Sequence, residues 1–260
     1  MRFEILNVEH GFCAYATGAD GGTILVDCGH GAANRPSLLL PSRGIASVRR
    51  LVVTNFDEDH ISDLVNLRRQ VDIEVLTRNP TLTSAQLRTL KAPPISPAMS
   101  ELLGMMDSYS GPVAPAQLEP LGIRMWNFHN EYPRFSDTNN LSLLTFIDVG
   151  GVSFVLGGDL ERAGWLELLK NPHVQGLLGR VRVFVASHHG RESGYCKEVF
   201  NYCNPNLIVV SDGSIQYDTQ KMAAVYAKHA TGEMFSCPSG NEIRKVVSTR
   251  CDGNIFWNPT

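Results

Sequence analysis

The sequence predicts a mixed α/β protein built as a four-layer α/β/β/α sandwich. Two observations predict it: both halves of the chain open with apolar runs of strand length, and both continue into segments with helical spacing. Two β-rich halves that each trail helices bury most apolar surface as two sheets packed face to face with helices outside. With 260 residues, a single domain over residues 1–260 is expected.

The first half provides the first sheet. Strands are predicted, on apolar runs and turn residues, at 3–8, 12–17, 23–28, 48–54 and 73–76. Helices are predicted at 61–70, at 81–90 with Thr81 or Thr83 as the N-cap, and at 99–109. The proline-rich segment 110–120 is the place where a lid or inserted segment is expected.

The second half repeats this pattern. Strands are predicted at 123–128, 141–148, 152–156, 181–186, 207–211, 244–249 and 254–257. Helices are predicted at 161–170, near 193–202 and at 221–229.

Composition limits the function classes. Hydrophobic residues make up 43% and charged residues 19%, so the chain can bury a core, and a net charge of −3 indicates no general polyanion-binding surface. Six cysteines without a C-x-x-C pair are expected to be reduced. Without a signal-like start or an apolar run of about 18 residues, the chain is expected to be cytoplasmic and not membrane-bound.

Three strand ends carry residues that could bind a metal. The strand at 51–53 leads into Asp57, Asp59 and His60, the strand at 152–156 into Gly157-Gly158-Asp159, and the strand at 181–186 into His188-His189. An acidic loop that caps a helix would explain the first group alone. No single structural reason explains all three, whereas a divalent cation does.

The order of these motifs resembles the metallo-β-lactamase superfamily, and within it the ComEC-like branch, which includes the hydrolase domain of a bacterial DNA-uptake channel protein. The similar segments are 6–11, 23–29, 55–64, 139–144, 157–161, 186–190 and 204–213. The superfamily pattern His-x-His-x-Asp-His here reads Asn55-x-Asp57-x-Asp59-His60. Asp57 matches the ComEC-like branch, and Asn55 departs from the pattern. The resemblance implies a sandwich of the metallo-β-lactamase type.

The resemblance also implies ligands for one or two divalent ions. It assigns Asp59, His60, Asp159 and His188 to one ion, and Asp57 with Asp159 to another, for which Asn55 offers only an amide. Asp59 and Asp159 are the candidates for orienting the attacking water. For His189 three roles remain open: support of a ligand, substrate contact and proton donation.

The predicted ligand set is rich in oxygen, so Mn²⁺ and Zn²⁺ are expected equally, and Mg²⁺ suits the same ligands.

The expected activity, which rests mainly on the resemblance, is that of a metal-dependent nuclease or phosphodiesterase. Nucleic acid or another phosphodiester is then the substrate, and a protein partner in a multi-component system is expected. The candidates for offsetting charge on a leaving oxygen are His189, Arg191 and Lys197.

Two alternative functions stay open. One is hydrolysis of a lactone, thioester or other small ester, and the other is a non-catalytic interaction module, for which Asn55 is the best argument.

Overall fold

Two six-stranded sheets dominate the computed structural model, which describes residues 1–91, 93–111, 119–237 and 240–259. The strands are β1 (Arg2–Ile5), β2 (Ala14–Thr17), β3 (Thr23–Val26), β4 (Ser47–Val48), β5 (Arg50–Val52), β6 (Asp72–Ile73), β7 (Leu76–Thr77), β8 (Ile123–His129), β9 (Leu143–Val149), β10 (Val152–Leu156), β11 (Val183–Val185), β12 (Leu207–Val210), β13 (Glu233–Cys237), β14 (Gly240–Arg244), β15 (Val246–Ser248) and β16 (Ile255–Trp257). The first sheet has the order β16-β1-β2-β3-β5-β7, and the second has the order β15-β12-β11-β10-β9-β8. Two short pairs, β4-β6 and β13-β14, complete the described sheets.

Helices cover the outer faces of both sheets. They are α1 (Pro36–Ser42), α2 (Glu58–Ile61), α3 (Leu64–Gln70), α4 (Ser84–Leu90), α5 (Pro97–Ser108), α6 (Arg162–Leu168), α7 (Pro172–Leu178), α8 (Ala223–Tyr226) and α9 (Thr249–Asp252). Short 3-10 turns lie at His188–Gly190, Glu192–Gly194, Lys197–Asn201 and Asp218–Gln220. Within the described ranges, every helix is too short or too polar to cross a bilayer.

Three buried layers of apolar side chains hold these elements together. One lies between the first sheet and α1 to α5, one between the two sheets, and one between the second sheet and α6 to α8. In the middle layer Phe3 of the first sheet stacks on Phe154 of the second, with ring centroids 4.0 Å apart. The predicted α/β/β/α sandwich is therefore confirmed.

Several local predictions need correction. The helix predicted at 61–70 is interrupted because the Asp63 N–H donates to the Cys28 carbonyl oxygen at 3.0 Å instead of within a helix, which separates α2 from α3. The helix expected near 193–202 is a series of 3-10 turns, since Gly194 packs so closely on Ser187 that a Cβ would lie 2.4 Å from its carbonyl oxygen. Of the two candidate N-caps, Thr83 caps α4.

The lid expected at 110–120 falls largely on residues 112–118, which lie outside the described residues.

The fold brings the three polar strand ends to one edge of the sandwich. The loop after β5 is joined to the second sheet by a hydrogen bond from Leu143 N–H to Thr54 carbonyl oxygen at 2.7 Å. Strands β10 and β11 are parallel neighbours, so their carboxyl ends lie side by side against that loop.

Candidate metal centre

Four side chains form a compact group with metal-ligand chemistry. One ligand atom from each of Asp59, His60, Asp159 and His189 lies within 4.8 Å of every other. The two histidines and Asp159 are buried, while the Asp59 side chain is 26% exposed. The group is thus enclosed by protein on three sides and open to solvent at Asp59.

His60 is held in one tautomer by a buried carboxylate. Its Nδ1 donates to Asp27 Oδ2 at 2.7 Å, and Asp27 also accepts hydrogen bonds from the Thr54 N–H, at 2.7 Å, and the Thr54 hydroxyl. His60 Nε2 lies 3.1 Å from Asp159 Oδ1. A carboxylate on one ring nitrogen orients the other as a metal ligand and raises its basicity.

His189 is oriented in the same way by a backbone carbonyl. Its Nδ1 donates to the Ser211 oxygen at 3.0 Å, and its Nε2 points at Asp59 Oδ2, 3.1 Å away, and at Asp159 Oδ1, 3.5 Å away. His188 and His189 both have positive φ, 50° and 53°. Such backbone costs about 1 kcal/mol or more per residue and persists mostly at functional sites.

Asp159 reaches the group because two glycines precede it. A Cβ on Gly157 would lie 2.2 Å from Ser187 Oγ. Gly158 has φ of +52°, and a Cβ there would meet Ser142 at 3.1 Å. The Asp159 N–H donates to Ser142 Oγ at 3.1 Å, which fixes the turn. The Gly157-Gly158-Asp159 sequence is therefore a steric requirement of this strand end.

Burial and the close charges determine the protonation of the group. Burial works to raise the pKa of Asp59 and of Asp159, but the imidazoles of His60 and His189 prevail: the pKa of Asp59 falls well below its usual range and that of Asp159 falls to about 2. Burial works to lower the pKa of His60, yet Asp159 and Asp27 raise it well above its usual range. Without a metal, a proton on His60 therefore supplies the positive charge between the carboxylates.

These residues fit a divalent cation. His189 Nε2 is buried and has no hydrogen-bond partner, although Asp59 Oδ2 lies 3.1 Å away. Both imidazoles have their Nδ1 engaged elsewhere, so both Nε2 lone pairs are available to an ion. Two imidazole nitrogens and two carboxylates form a four-donor set of the kind that binds Zn²⁺ and related ions.

Asp57 and Asn55 lie outside this group. Asp57 Oδ1 contacts the Lys91 ammonium and accepts a hydrogen bond from Thr138 Oγ1 at 3.0 Å. Asn55 accepts the Asp57 N–H at 2.7 Å and points its amide toward Asn139 Oδ1, 3.4 Å away. Both residues, predicted as metal ligands, are already satisfied by protein groups.

The structure places His189 in the group where the sequence predicted His188. The His188 backbone N–H donates to Gly158 oxygen at 2.9 Å, and its ring Nδ1 lies 2.9 Å from Ser193 Oγ and 3.5 Å from Glu161 Oε1. The left-handed turn at these two positions directs the His189 ring inward and the His188 ring toward Glu161. The geometry brings His189 into the four-residue group that could hold an ion and leaves His188 outside it.

Three residues with a part in the site were not singled out in the sequence. Asp27 follows the apolar strand β3 directly, the same signal that identified Asp59 and Asp159. Ser211 contributes only its backbone, and Lys91 reaches Asp57 from the end of α4, so neither leaves a local sequence signal.

Comparisons of the sequence with known proteins find two partial matches. Residues 7–89 match the model of the metallo-beta-lactamase superfamily, whose members are metal-dependent hydrolases. ComE operon protein 3 of Bacillus subtilis is 24% identical over 200 residues, which make up 74% of this chain and 24% of that protein. The chain thus spans about a quarter of the length of this relative. The match agrees with the resemblance to the ComEC-like branch.

Solved structures show the fold. The metallo-beta-lactamase fold protein YhfI from Bacillus subtilis has a TM-score of 0.54 at 12% identity and covers 98% of both chains. Zn²⁺-bound PqqB from Methylobacterium extorquens has a TM-score of 0.51 at 11% identity and covers 99% of this chain and 100% of its own. CmlA, a diiron β-hydroxylase from Streptomyces venezuelae, has a TM-score of 0.52 at 13% identity and covers 98% of this chain and 54% of its own. This chain therefore has the metallo-β-lactamase fold, and its residues 7–89 match the model of the metallo-β-lactamase superfamily.

Proposed function

We propose that the protein is a metal-dependent phosphodiesterase that holds one divalent ion between Asp59, His60, Asp159 and His189. The observation that carries the proposal is the pair of imidazoles, each fixed through Nδ1. His60 directs Nε2 at Asp159, and His189 directs Nε2 at both Asp59 and Asp159. Structural histidines do not need such an arrangement, whereas metal ligands do.

The number of ions follows from the partners of Asp57. The Lys91 ammonium already neutralises this carboxylate, and Asn55 offers no anionic donor. A second ion would have to displace Lys91 and bind a neutral amide, so we propose one ion per chain. The remaining two-nitrogen, two-carboxylate set is less oxygen-rich than the set read from the sequence, which favours Zn²⁺ ahead of Mn²⁺, with Mg²⁺ least suited.

A divalent ion at this position supplies a nucleophile from water near neutral pH and polarises the oxygen of the electrophile. The side chains of the protein position the attacking water. Asp59 is the solvent-facing member of the group, and its low pKa keeps it ionised, so it can accept a hydrogen bond from the attacking water. The buried Asp159 serves chiefly as a ligand.

A phosphodiester is proposed as the substrate for two reasons. The resemblance to the ComEC-like branch, with its DNA-uptake protein, points to nucleic acid. A cation, Arg191, also lies beside the open side of the group, joined to it through His10. Within a larger system, a protein partner would deliver the substrate. A lactone or thioester would need no such cation, and this difference separates the two kinds of hydrolase.

The experiment is a panel of hydrolysis assays on purified protein with added Zn²⁺, Mn²⁺ or Mg²⁺. The substrates are plasmid, single-stranded DNA, bis-p-nitrophenyl phosphate and a lactone, and Asp159→Ala is the inactive control. Phosphodiester cleavage that requires metal and is lost in Asp159→Ala supports the proposal. Lactone cleavage without phosphodiester cleavage would replace it with the ester alternative, and metal-free protein indifferent to all three ions would support a non-catalytic module.

A further inference from the structure

Arg191 lies beside the metal-binding group and is held there by a histidine. Its Nη2 donates to His10 Nε2 at 2.8 Å. His10 Nε2 also lies 3.8 Å from Asp59 Oδ2, and the His10 ring centroid is 4.8 Å from that of His189. A guanidinium can only donate, so His10 accepts through Nε2. The His10 imidazole thus lies between the Arg191 guanidinium and the metal-binding group.

The positive charge of Arg191 has no acidic partner in the described part of the chain. Two other cations of this face do: Arg250 lies 2.7 Å from Asp212, and Lys91 contacts Asp57. Arg191 instead donates to a neutral ring nitrogen, and its Nε is buried without a hydrogen-bond partner. A buried donor on a charged group is costly to leave unpaired, so an incoming anion would supply the missing hydrogen-bond acceptor.

A pocket of about 290 Å³ opens at this point. Arg191, His10 and Glu9 line one wall, and neutral side chains from the loop 214–220 line part of the other. The acidic residue among those that line this pocket is Glu9, whose Oε1 accepts a hydrogen bond from the backbone N–H of Ala32 at 3.1 Å. The pocket is therefore large enough for a phosphate group with part of its ester.

We propose that Arg191, positioned by His10, binds a phosphate oxygen of the substrate beside the metal ion and so selects anionic over neutral esters. This inference rests on the proposed function for its substrate class. The planar guanidinium can give two parallel N–H bonds to phosphate, which a lysine ammonium cannot. His10 acts as a positioning residue, because its Nε2 accepts a hydrogen bond from Arg191 Nη2 and so fixes the guanidinium.

The test compares Arg191→Met and Arg191→Lys with Lys228→Met, a control that removes an exposed cation with no proposed part in the site. Inorganic phosphate is titrated into each metal-loaded protein by calorimetry, and metal content is measured on the same samples. KM and kcat are measured for bis-p-nitrophenyl phosphate and for the neutral ester p-nitrophenyl acetate. Arg191→Lys keeps the charge and provides the measurement if Arg191→Met does not fold.

The expected result is phosphate binding weakened about tenfold or more in Arg191→Met, with a smaller loss in Arg191→Lys and none in Lys228→Met. Metal content stays unchanged, and KM rises for the diester alone. Equal phosphate binding by wild type and Arg191→Met overturns the inference, as does a wild-type protein that binds no phosphate at millimolar concentration. Phosphate binding that needs Arg191, in a protein that cleaves no phosphodiester, would keep the subsite and reject the proposed activity.

Discussion

The two ends of the loop from Asn55 to His60 look alike in sequence and differ in the structure. At one end Asp59 and His60 join Asp159 and His189 in a compact group. There the two carboxylates face imidazole rings. At the other end Asp57 lies against the Lys91 ammonium, and Asn55 is hydrogen-bonded within the loop. A run of acidic residues therefore indicates a metal site only where the protein supplies no cation of its own.

The largest effect should separate Asp159 from Asp57. Asp159→Asn removes an anionic ligand, and we expect metal affinity to fall about a hundredfold or more, since even indirect support of a ligand is worth 10- to 100-fold. Asp57→Asn keeps all four proposed ligands and should bind the ion nearly as wild type does. Titration against a chromophoric chelator measures both. Equal losses in the two variants would mean that both ends of the loop bind metal.

Asp27→Asn should have the next largest effect. The His60 ring would keep its neighbour but lose the carboxylate that raises its basicity. We expect metal affinity to fall about tenfold in the same titration. Asp63→Asn changes another buried acid close in the chain and serves as the control. An unchanged affinity in Asp27→Asn would show that the hydrogen bond to His60 does not support the ion.

Metal removal should lower thermal stability only where the four ligands are intact. An ion present at a thousand times its Kd adds about 4 kcal/mol to the free energy of unfolding. Chelator should therefore reduce the Tm of wild type and Asp57→Asn and leave that of Asp159→Asn unchanged. Differential scanning calorimetry with and without Zn²⁺ provides the measurement. A metal-dependent Tm in Asp159→Asn would place the ion elsewhere.

The pH dependence of the metal-free protein should reflect the raised pKa of His60. Although burial opposes it, the charges of Asp159 and Asp27 raise this pKa well above 6.5. A raised pKa stabilises the fold below the unfolded value, and that stabilisation is lost as pH rises through the folded value. Unfolding by urea should thus become easier without metal as pH rises from the ordinary histidine value of 6.5 through the raised pKa of His60. With Zn²⁺ bound this decline should disappear, because the ion replaces the proton.

The smallest effect is expected from Lys91→Met. The pair with Asp57 is partly exposed, so its loss should change the free energy of unfolding by about 1 kcal/mol or less. Metal content should stay at one ion per chain, since Asn55 still offers no anionic donor. Urea titration and elemental analysis check the two expectations. A second ion in Lys91→Met would show that the ammonium alone excludes it.

The sequence predicted the layers of the fold and the strand ends of the site. The runs at 51–53, 152–156 and 181–186 end in Asp59, Asp159 and the two histidines, and strand periodicity makes such ends recognisable. It did not predict α1 or α7, although Asn171-Pro172 is an N-cap followed by proline, a known helix start. The hairpin β13-β14 was also missed, since its strands expose Met234 and Ile243 instead of alternating clearly.

Within the site, the sequence did not show which of two adjacent histidines points inward. That choice depends on two positive φ angles, which follow from the packing of Gly190 and Gly194 against Val210 and Ser187. Nor could it show that Lys91 reaches Asp57 across 34 positions of the chain. Such pairings arise from tertiary structure and leave no local pattern.

The most direct test of the central claim is a crystal structure of the Zn²⁺-loaded protein with an anomalous difference map at the zinc edge. One peak is predicted, about 2.0–2.2 Å from Nε2 of His60, Nε2 of His189 and carboxylate oxygens of Asp59 and Asp159. A peak bound to His188 or Asp57 instead, or no peak between the four side chains, would contradict it.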